Sequence, residues 1–225
     1  MGPFKPILDV LPQPQRALWE GLQATPADFV LYGGTALALR LGHRQSQDFD
    51  FFSAEAFEPE QLLCKVSYLR GAKMVQAGPN TLTAVVDRGG PVQLSFFGGL
   101  GLRRTGEPDI CPENRVQVAS LLDLAGCKAE VVQHRAEAKD YRDIAALLAA
   151  GVGLETILAA GRAVYGPRFD PTRTLRALVF FEDGNLPELV PETQTQLRNA
   201  VACVNLKGLP ILASREGLSK AERER

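Results

Sequence analysis

Two aspartates, Asp48 and Asp50, alternate with phenylalanines along a short apolar run. In a β-strand, residues two apart point to the same face, so both carboxylates should project side by side while Phe49 and Phe51 enter the core. Two adjacent carboxylates repel each other unless a cation lies between them. Hard divalent ions such as Mg²⁺ favour oxygen ligands of this kind and usually share them with substrate phosphates. The spacing therefore predicts Asp48 and Asp50 as metal ligands.

A glycine pair precedes the aspartates by about the length of a helix. Gly33 and Gly34 lack a Cβ, so a phosphate group can approach their backbone. A helix that starts near Thr35 offers free N–H donors to an anion. Arg44 and Ser46, which lie between the two motifs, could bind phosphate oxygens. These five residues are predicted to bind a nucleotide, and together with the aspartates they indicate a metal-dependent nucleotide site.

Each part of this pattern also has a purely structural explanation. A Gly-Gly pair after a strand is most often a tight turn, and a lone Asp-x-Asp is usually a solvated strand edge or turn. Arg44, at a helix end beside acidic residues, could form only an ion pair. The apolar cluster of Phe49, Phe51 and Phe52 argues against a solvated edge. The joint pattern therefore favours the functional interpretation.

The elements that must position these residues follow from hydrophobic periodicity and turn signals. Residues 1–14 contain repeated prolines and are expected to be extended or loosely packed, and the charge-rich segment 214–225 is expected to be a frayed helix or a disordered tail. The predicted helices are 15–24, 35–41, 58–70, 118–134, 138–150, 153–164, 171–181 and 192–202. The predicted strands are 29–32, 48–52, 72–77, 80–87 and 91–97.

This order of elements predicts an α+β fold, in which a mixed sheet flanked by helices is followed by a helical C-terminal lobe. The connection between Gly98 and Pro112 is rich in glycine and proline and is the expected boundary. We therefore expect a sheet-containing core over residues 1–105 and a helical lobe over residues 106–225.

The bulk composition restricts the class of protein. The 225 residues have a formal net charge of −1, which excludes a generally basic nucleic-acid-binding protein, so any RNA contact would need a local patch. The four cysteines are widely spaced and match neither a zinc site nor a disulfide framework. Prolines interrupt the region where an export signal needs an apolar core, and no segment approaches the length of a membrane span. A cytoplasmic protein with no membrane partner is expected.

Two blocks of sequence carry a resemblance to a known family. The first is GGTALALRLGHRQSQDFDFF, from Gly33 to Phe52. The second places Lys128 in a helical run, followed by Arg135 and by Lys-Asp-Tyr-Arg-Asp at residues 139–143. Together they resemble the nucleotidyltransferase-like AbiEii toxin family, which belongs to the DNA polymerase β-type nucleotidyltransferases. The resemblance covers about half of the chain.

The resemblance implies a nucleotidyltransferase-type sheet and the transfer of a nucleoside monophosphate from an NTP to an acceptor, with release of pyrophosphate. It implies Mg²⁺ or Mn²⁺ as cofactor, an RNA acceptor (such as a tRNA) or a protein acceptor, and a cognate antitoxin as partner. Asp48, Asp50, Lys128 and Asp140 would be the catalytic residues. Lys128 would contact the triphosphate, and Asp140 would act as acceptor base or hold Lys128. Asp143 would position its neighbours.

One strand departs from the family pattern. Members often carry a further carboxylate on a neighbouring strand, where it binds a second metal and activates the acceptor hydroxyl. The outward residues of that strand are here Gln93 and Ser95, and neither is acidic. Three interpretations stay open: a nucleotidyltransferase that uses the aspartate pair alone or another acid, a weakly active or inactive nucleotide- or partner-binding module, and a kinase-like phosphotransferase.

Overall fold

The computed structural model describes residues 4–220, which form two compact units. The first, called the sheet unit, comprises residues 4–102, 107–120 and 216–220. The second, called the helical unit, comprises residues 103–106 and 121–215. The chain therefore leaves the sheet unit at residue 103 and returns to it twice.

Strands and helices follow one another along the chain largely as predicted. The strands are β1 (Val30–Tyr32), β2 (Asp48–Phe52), β3 (Lys73–Gly78), β4 (Thr81–Asp87), β5 (Pro91–Phe97), β6 (Arg103–Arg104), β7 (Asp109–Ile110), β8 (Gln117–Val118) and β9 (Arg215–Glu216). The α-helices are α1 (Gln13–Trp19), α2 (Gly33–Leu41), α3 (Pro59–Lys65), α4 (Leu121–Val131), α5 (Ala138–Ala149), α6 (Leu154–Tyr165), α7 (Pro171–Ala177) and α8 (Pro191–Ala202). Short 3₁₀ helices cover Leu8–Val10, Glu20–Ala24, Ser67–Leu69, Gly166–Arg168, Leu186–Glu188 and Leu206–Gly208.

Seven of the strands form one mixed sheet in the order β3-β4-β5-β2-β1-β8-β7. Strand β2 is parallel to β5 and antiparallel to β1, and β1 is parallel to β8. The short strands β6 and β9 form a separate two-stranded sheet. The predicted α+β fold is confirmed, and the strand that carries the two aspartates is paired along both of its edges.

Aromatic side chains bury the inner face of β2. Phe49 and Phe51 are completely buried. Phe51 stacks on Phe96 of β5 with ring centroids 5.1 Å apart, and Trp19 of α1 lies 6.4 Å from Phe49. Burial of one such side chain contributes roughly 1.5–3 kcal/mol, so this packing sets which face of β2 is turned inward.

Helix α2 ends where the sequence predicts, at Gly42. This glycine has a φ of +67°, and its N–H donates to the carbonyl oxygen of Ala38 at 2.8 Å. Residues without a Cβ adopt this left-handed conformation at little cost, which is why glycine commonly follows the last helical turn. The helix itself is held by buried apolar residues, which are Ala36, Leu37, Ala38 and Leu39.

In the helical unit, α4 packs closely against α6. A Cβ added to Gly126 would lie 2.8 Å from the carbonyl carbon of Ala160, so the small residue permits the close approach of the two helices.

Segment 103–106 also belongs to the helical unit and is bound to it through buried Asp123. Oδ1 of Asp123 accepts hydrogen bonds from N and Oγ1 of Thr105 at 2.6 and 2.7 Å.

Residues 107–120 lie in the sheet unit, whereas the predicted boundary after residue 105 assigned them to the helical lobe. Strand β8 pairs with β1, with Leu31 opposite Val118, and β7 extends the sheet beyond it. A strand of two residues is too short to show an alternating pattern, so these pairings are visible only in the folded chain. The predicted helix 118–134 accordingly begins at Leu121.

The segments near the two ends of the chain are more ordered than expected. Val10 and Leu11 are only 5% and 4% exposed, so these two residues of the segment 1–14 are tightly packed and not loosely packed as expected. Prolines restrict the backbone but do not prevent apolar neighbours from reaching the core. Near the C-terminus, the backbone N–H of Lys220 donates to Oε1 of Gln117 at 2.7 Å. Residues 1–3 and 221–225 lie outside the described residues.

Two further features bear on the expected class of protein. Across residues 4–220 no single helix is long and apolar enough to cross a membrane, although one sharply bent helix pair reaches the required length and composition when both parts are taken together. All four cysteines are free, two of them buried and two exposed.

Candidate active site

The two aspartates of β2 share one face of the sheet. Asp48 is exposed and Asp50 is half-buried, whereas Phe49 and Phe51, on the opposite face, are completely buried. The alternation predicted from the sequence is therefore present. In the parallel pairing of β2 with β5, Asp48 lies opposite Gln93 and Asp50 lies opposite Ser95.

Gly33, the first residue of α2, lies directly against Asp50. Its φ is +72°, a conformation that residues with a side chain rarely adopt. A Cβ at this position would lie 2.4 Å from Oδ2 of Asp50, which is well inside van der Waals contact. Only glycine therefore allows the start of α2 and the carboxylate of Asp50 to be so close.

The second glycine packs against the two polar side chains predicted to bind phosphate. A Cβ at Gly34 would lie 2.5 Å from Nη2 of Arg44 and 3.2 Å from Oγ of Ser46. Nη1 of Arg44 donates to the carbonyl oxygen of Gln45 at 2.9 Å, which orients the guanidinium group. The start of a nine-residue helix, a guanidinium and a hydroxyl thus meet at one place, which is the chemistry of a phosphate-binding site. We call Gly33, Gly34, Arg44 and Ser46 the phosphate cradle.

Thr35 is buried and bonds to the strand of the aspartates, so it is not one of the cradle residues. It is 1% exposed, and its Oγ1 donates to the backbone carbonyl oxygen of Asp48. This hydrogen bond ties the first turn of α2 to the start of β2. Thr35 therefore positions the aspartate strand relative to the glycine pair.

The strand beside the aspartates carries no acid at the facing positions. Gln93 and Ser95 lie opposite Asp48 and Asp50, and Oγ1 of Thr83 donates to Oγ of Ser95 at 3.4 Å. No group of three or more His, Cys, Asp or Glu side chains in residues 4–220 is placed to hold a metal ion. A cation at Asp48 and Asp50 would therefore take its other ligands from phosphate oxygens and water, an arrangement that Mg²⁺ commonly has.

The remaining predicted residues form a second cluster, in the helical unit. Nζ of Lys128, on α4, lies 2.8 Å from Oδ1 of Asp140 and 2.6 Å from Oδ2 of Asp143, both on α5. The Lys128 side chain is 7% exposed and both carboxylates are fully buried. Arg135 completes the cluster, since its Nε lies 2.7 Å from Oδ2 of Asp140. Two positive and two negative groups are thus paired in one network, in which Lys128 and both aspartates are buried and Arg135 is 45% exposed.

The pKa of Asp140 bears on which of its two predicted roles the structure favours. Burial acts to raise its pKa, but the hydrogen bond from Arg135 and the positive charge of Lys128 outweigh burial, so the pKa of Asp140 lies below its ordinary value. A carboxylate with a lowered pKa is a weak proton acceptor. Of the two predicted parts for Asp140, acceptor base or holder of Lys128, the geometry favours the second.

Asp143 and Arg135 contribute more than their positions in the sequence suggested. Asp143 contacts Lys128 as closely as Asp140 does, and the three-residue spacing of the two aspartates along α5 is the signal that places them on one face.

Gln15, a buried polar residue of the sheet unit, was not predicted at all. It lies three and four residues before two core residues of α1 and is itself 4% exposed. A glutamine on an apolar helix face is the signal that could have identified it.

The fold and the order of these residues match one family over most of the chain. A family model described as the nucleotidyl transferase AbiEii toxin of a type IV toxin–antitoxin system matches residues 16–202. The chain belongs to this family. It is therefore a nucleotidyltransferase of the AbiEii toxin type, and the resemblance seen in its two sequence blocks is confirmed.

The chain is also similar to individual proteins and solved structures. An uncharacterized protein from Aquifex aeolicus (strain VF5) is 29% identical over 159 residues, which are 69% of this chain and 75% of the relative. The crystal structure of a putative nucleotidyltransferase from H. pylori has a TM-score of 0.54 at 17% identity, and the match covers 84% of this chain and 91% of the H. pylori chain. The nucleotidyltransferase toxin MenT4 from Mycobacterium tuberculosis H37Rv has a TM-score of 0.58 at 13% identity, over 86% and 83% of the two chains. The two structures show a shared nucleotidyltransferase fold.

Proposed function

We propose that this AbiEii-family protein moves a nucleoside monophosphate from an NTP to a hydroxyl group of an RNA or protein acceptor, in a metal-dependent reaction. A single observation carries the proposal: Gly33 brings the first turn of α2 against the carboxylate of Asp50. The proposed phosphate ligands and the proposed metal ligands therefore adjoin each other within the sheet unit. We propose the phosphate cradle as the place of the NTP phosphates.

The donor set at Asp48 and Asp50 fits a hard divalent cation. Two carboxylates on one face of β2, completed by phosphate and water oxygens, are the ligands that Mg²⁺ or Mn²⁺ accepts. Such an ion, when bound, would neutralise negative charge that builds up on the phosphates during transfer. The protein itself supplies the carboxylates that hold the ion and the guanidinium of Arg44, which adds a second positive charge beside the glycine pair.

The reaction is a substitution at the α-phosphorus. The acceptor oxygen forms a bond to this phosphorus, and the bond between the phosphorus and the bridging α–β oxygen breaks. Pyrophosphate leaves with the electron pair of that bond, and the hydroxyl proton passes to water. Catalysis of this kind depends on holding the reacting groups in line and on stabilising charge, and both demands match the cradle and the carboxylate pair.

Of the two catalytic residues predicted in the helical unit, Lys128 remains a proposed catalytic residue, and Asp140 becomes a proposed positioning residue. We propose that Asp140 and Asp143 hold the ammonium group of Lys128 in one orientation and that Arg135 holds Asp140 in turn. Two further proposals follow from membership of the AbiEii family: a cognate antitoxin restrains the activity, and the reaction takes place in the cytoplasm, where NTPs are available.

The proposed function can be tested with α-³²P-labelled NTPs. Purified protein, Mg²⁺ or Mn²⁺ and each labelled NTP are incubated with total RNA and with a protein extract, and label in either acceptor is measured together with released pyrophosphate. We expect Asp48→Asn and Asp50→Asn to lower transfer at least about a hundredfold, as loss of a group that stabilises transferred charge typically does. Asp9→Asn, which changes a carboxylate that is 88% exposed, should have no effect.

Two outcomes would contradict the proposal. Transfer of label from γ-³²P-labelled NTP, with release of a nucleoside diphosphate, would indicate a kinase instead. Unchanged transfer in Asp50→Asn would show that the reaction does not use the carboxylate beside Gly33.

A further inference from the structure

A cavity adjoins Asp48, and none of the residues of the phosphate cradle lines it. This cavity of about 390 Å³ lies in the sheet unit, between the start of α1 and strands β2, β4 and β5. Its volume is within the range of roughly 300–1,000 Å³ that is typical of small-molecule sites. Asp48 lines it, together with Gln15 and Gln93 and with the apolar side chains of Pro14, Val85 and Pro91.

The two glutamines contribute different groups to the lining. Gln15 is 4% exposed, and its Nε2 donates to the carbonyl oxygen of Gln47 at 2.5 Å. Within residues 4–220 its Oε1 has no hydrogen-bond partner, and a buried amide oxygen in this state costs about 1–3 kcal/mol. A ligand N–H that reached this oxygen would remove that cost. Gln93 is half-buried, so its side chain is partly open to a ligand.

The lining offers no positively charged side chain. Among residues 4–220, no lysine, arginine or histidine lines the cavity, and its one charged group is the carboxylate of Asp48. A phosphate or a carboxylate would therefore find no cationic side chain here. Prolines and a valine instead offer flat apolar walls, and glutamine amides can both donate and accept. These features match an uncharged, planar group with donors and acceptors along its edge, which describes a nucleobase.

The cavity and the phosphate cradle each adjoin one of the two aspartates. Gly33 of the cradle lies against Asp50, whereas the cavity is lined by Asp48. A group in the cavity would therefore lie beside Asp48, and phosphates in the cradle would lie beside Asp50. Transfer requires the attacking and leaving oxygens to lie roughly in line, so substrate is needed on both sides of the phosphorus.

We propose that this cavity is a nucleobase site, in which the amides of Gln15 and Gln93 bind the edge of the base. The base belongs either to the acceptor or to the NTP. The relation to the carboxylates rests on the proposed function, whereas binding of a base by the two glutamines does not.

Binding is tested first with nucleosides, which carry no phosphate. The protein is labelled with ¹⁵N, and the side-chain amide signals of Gln15 and Gln93 are identified by their loss in Gln15→Leu and Gln93→Leu. Adenosine, guanosine, cytidine and uridine are then titrated. We expect saturable shifts of both amides with at least one nucleoside, and none with ribose 5-phosphate. Gln93→Leu should weaken binding about five- to tenfold, the effect of one hydrogen bond.

The matched control is Gln13→Leu, because Gln13 is an exposed glutamine on the same helix, two residues before Gln15. It should bind nucleosides as the wild type does. The absence of saturable shifts with all four nucleosides would overturn the proposal, as would equal affinity in Gln93→Leu. Shifts caused by a small peptide amide such as N-acetylglycinamide, but not by nucleosides, would overturn it in favour of a peptide site.

Kinetics then identify the source of the base. If Gln93→Leu raises KM for the acceptor about five- to tenfold and leaves KM for the NTP unchanged, the base belongs to the acceptor. The reverse pattern assigns it to the NTP. Nucleoside binding without any nucleotidyl transfer would contradict the proposed function and still support the base site, so the two failures are distinguishable.

Discussion

Gly33 and Asp50 are so close that no Cβ fits between them, since the nearest carboxylate oxygen would lie only 2.4 Å from it. Tyr32, the residue before Gly33, is paired with Asp50 in the sheet, so the contact follows directly from the register of β1 and β2. The glycine at the start of α2 and the second aspartate of β2 are therefore one structural feature, although seventeen positions separate them in the sequence.

Gly33→Ala should destabilise the protein and abolish most transfer. The alanine must adopt a φ of +72°, and its Cβ must also displace the carboxylate of Asp50. Gly71→Ala is the matched control, because Gly71 has a φ of +75° in the same unit with nothing within 4 Å of an added Cβ. We expect Gly71→Ala to cost about 1–2 kcal/mol and Gly33→Ala to cost at least about 1 kcal/mol more in urea unfolding. Equal costs and equal activities would contradict the close contact.

Thr35→Val should lower stability by about 1 kcal/mol and reduce transfer, because it removes the hydrogen bond from Oγ1 to the backbone of Asp48 while keeping the shape of the side chain. Thr35→Ser keeps the hydroxyl and should restore most of the activity. The measurements are urea unfolding and the initial rate of transfer. If valine and serine variants behave alike, the hydroxyl does not hold the aspartate strand in place.

Asp140→Asn should destabilise the helical unit by roughly 3–5 kcal/mol, because it leaves the buried ammonium of Lys128 and the guanidinium of Arg135 with less negative charge. Glu137→Gln is the control for a surface carboxylate near Arg135. Its side chain is 41% exposed, so the loss should not exceed about 1 kcal/mol. Denaturant unfolding of both variants provides the comparison, and similar losses would argue against a buried network.

The lowered pKa of Asp140 makes this contribution depend on pH in a defined direction. Its cause is the hydrogen bond from Arg135 and the charge of Lys128, which outweigh burial. A depressed pKa stabilises the folded state fully above the pKa of the unfolded chain, about 3.9 for aspartate. The stabilisation is lost as the pH falls through the folded value. The stability difference between wild type and Asp140→Asn should therefore be constant from pH 7 to about 5 and should narrow below about pH 4.

Unfolding curves of the two proteins at pH 7, 5 and 3 test this direction. A difference that widens at pH 3 would show that the Asp140 carboxyl is destabilised in its ionised form, contrary to the contacts with Lys128 and Arg135.

Local patterns were enough to predict the central part of the fold and the aspartate pair. Alternation of Asp48 and Asp50 with phenylalanines has the two-residue period of a strand, and Gly42 follows a helical run, where glycine commonly ends a helix. Such features depend on neighbours within a few residues. The family resemblance added Lys128 and Asp140, which no periodicity distinguishes from ordinary surface charges.

The amino-acid sequence by itself thus determined most of the helices, the five predicted strands, the carboxylate pair and the membership of the AbiEii family. Only the tertiary structure decided that Gly33 lies against Asp50, that Lys128 is held by two carboxylates, and that residues 107–120 return to the sheet. The physical reason is the range of the interactions. Periodicity and turn preferences act between neighbours in the chain, whereas close packing, ion pairing and strand pairing depend on which distant segments the folded chain brings together.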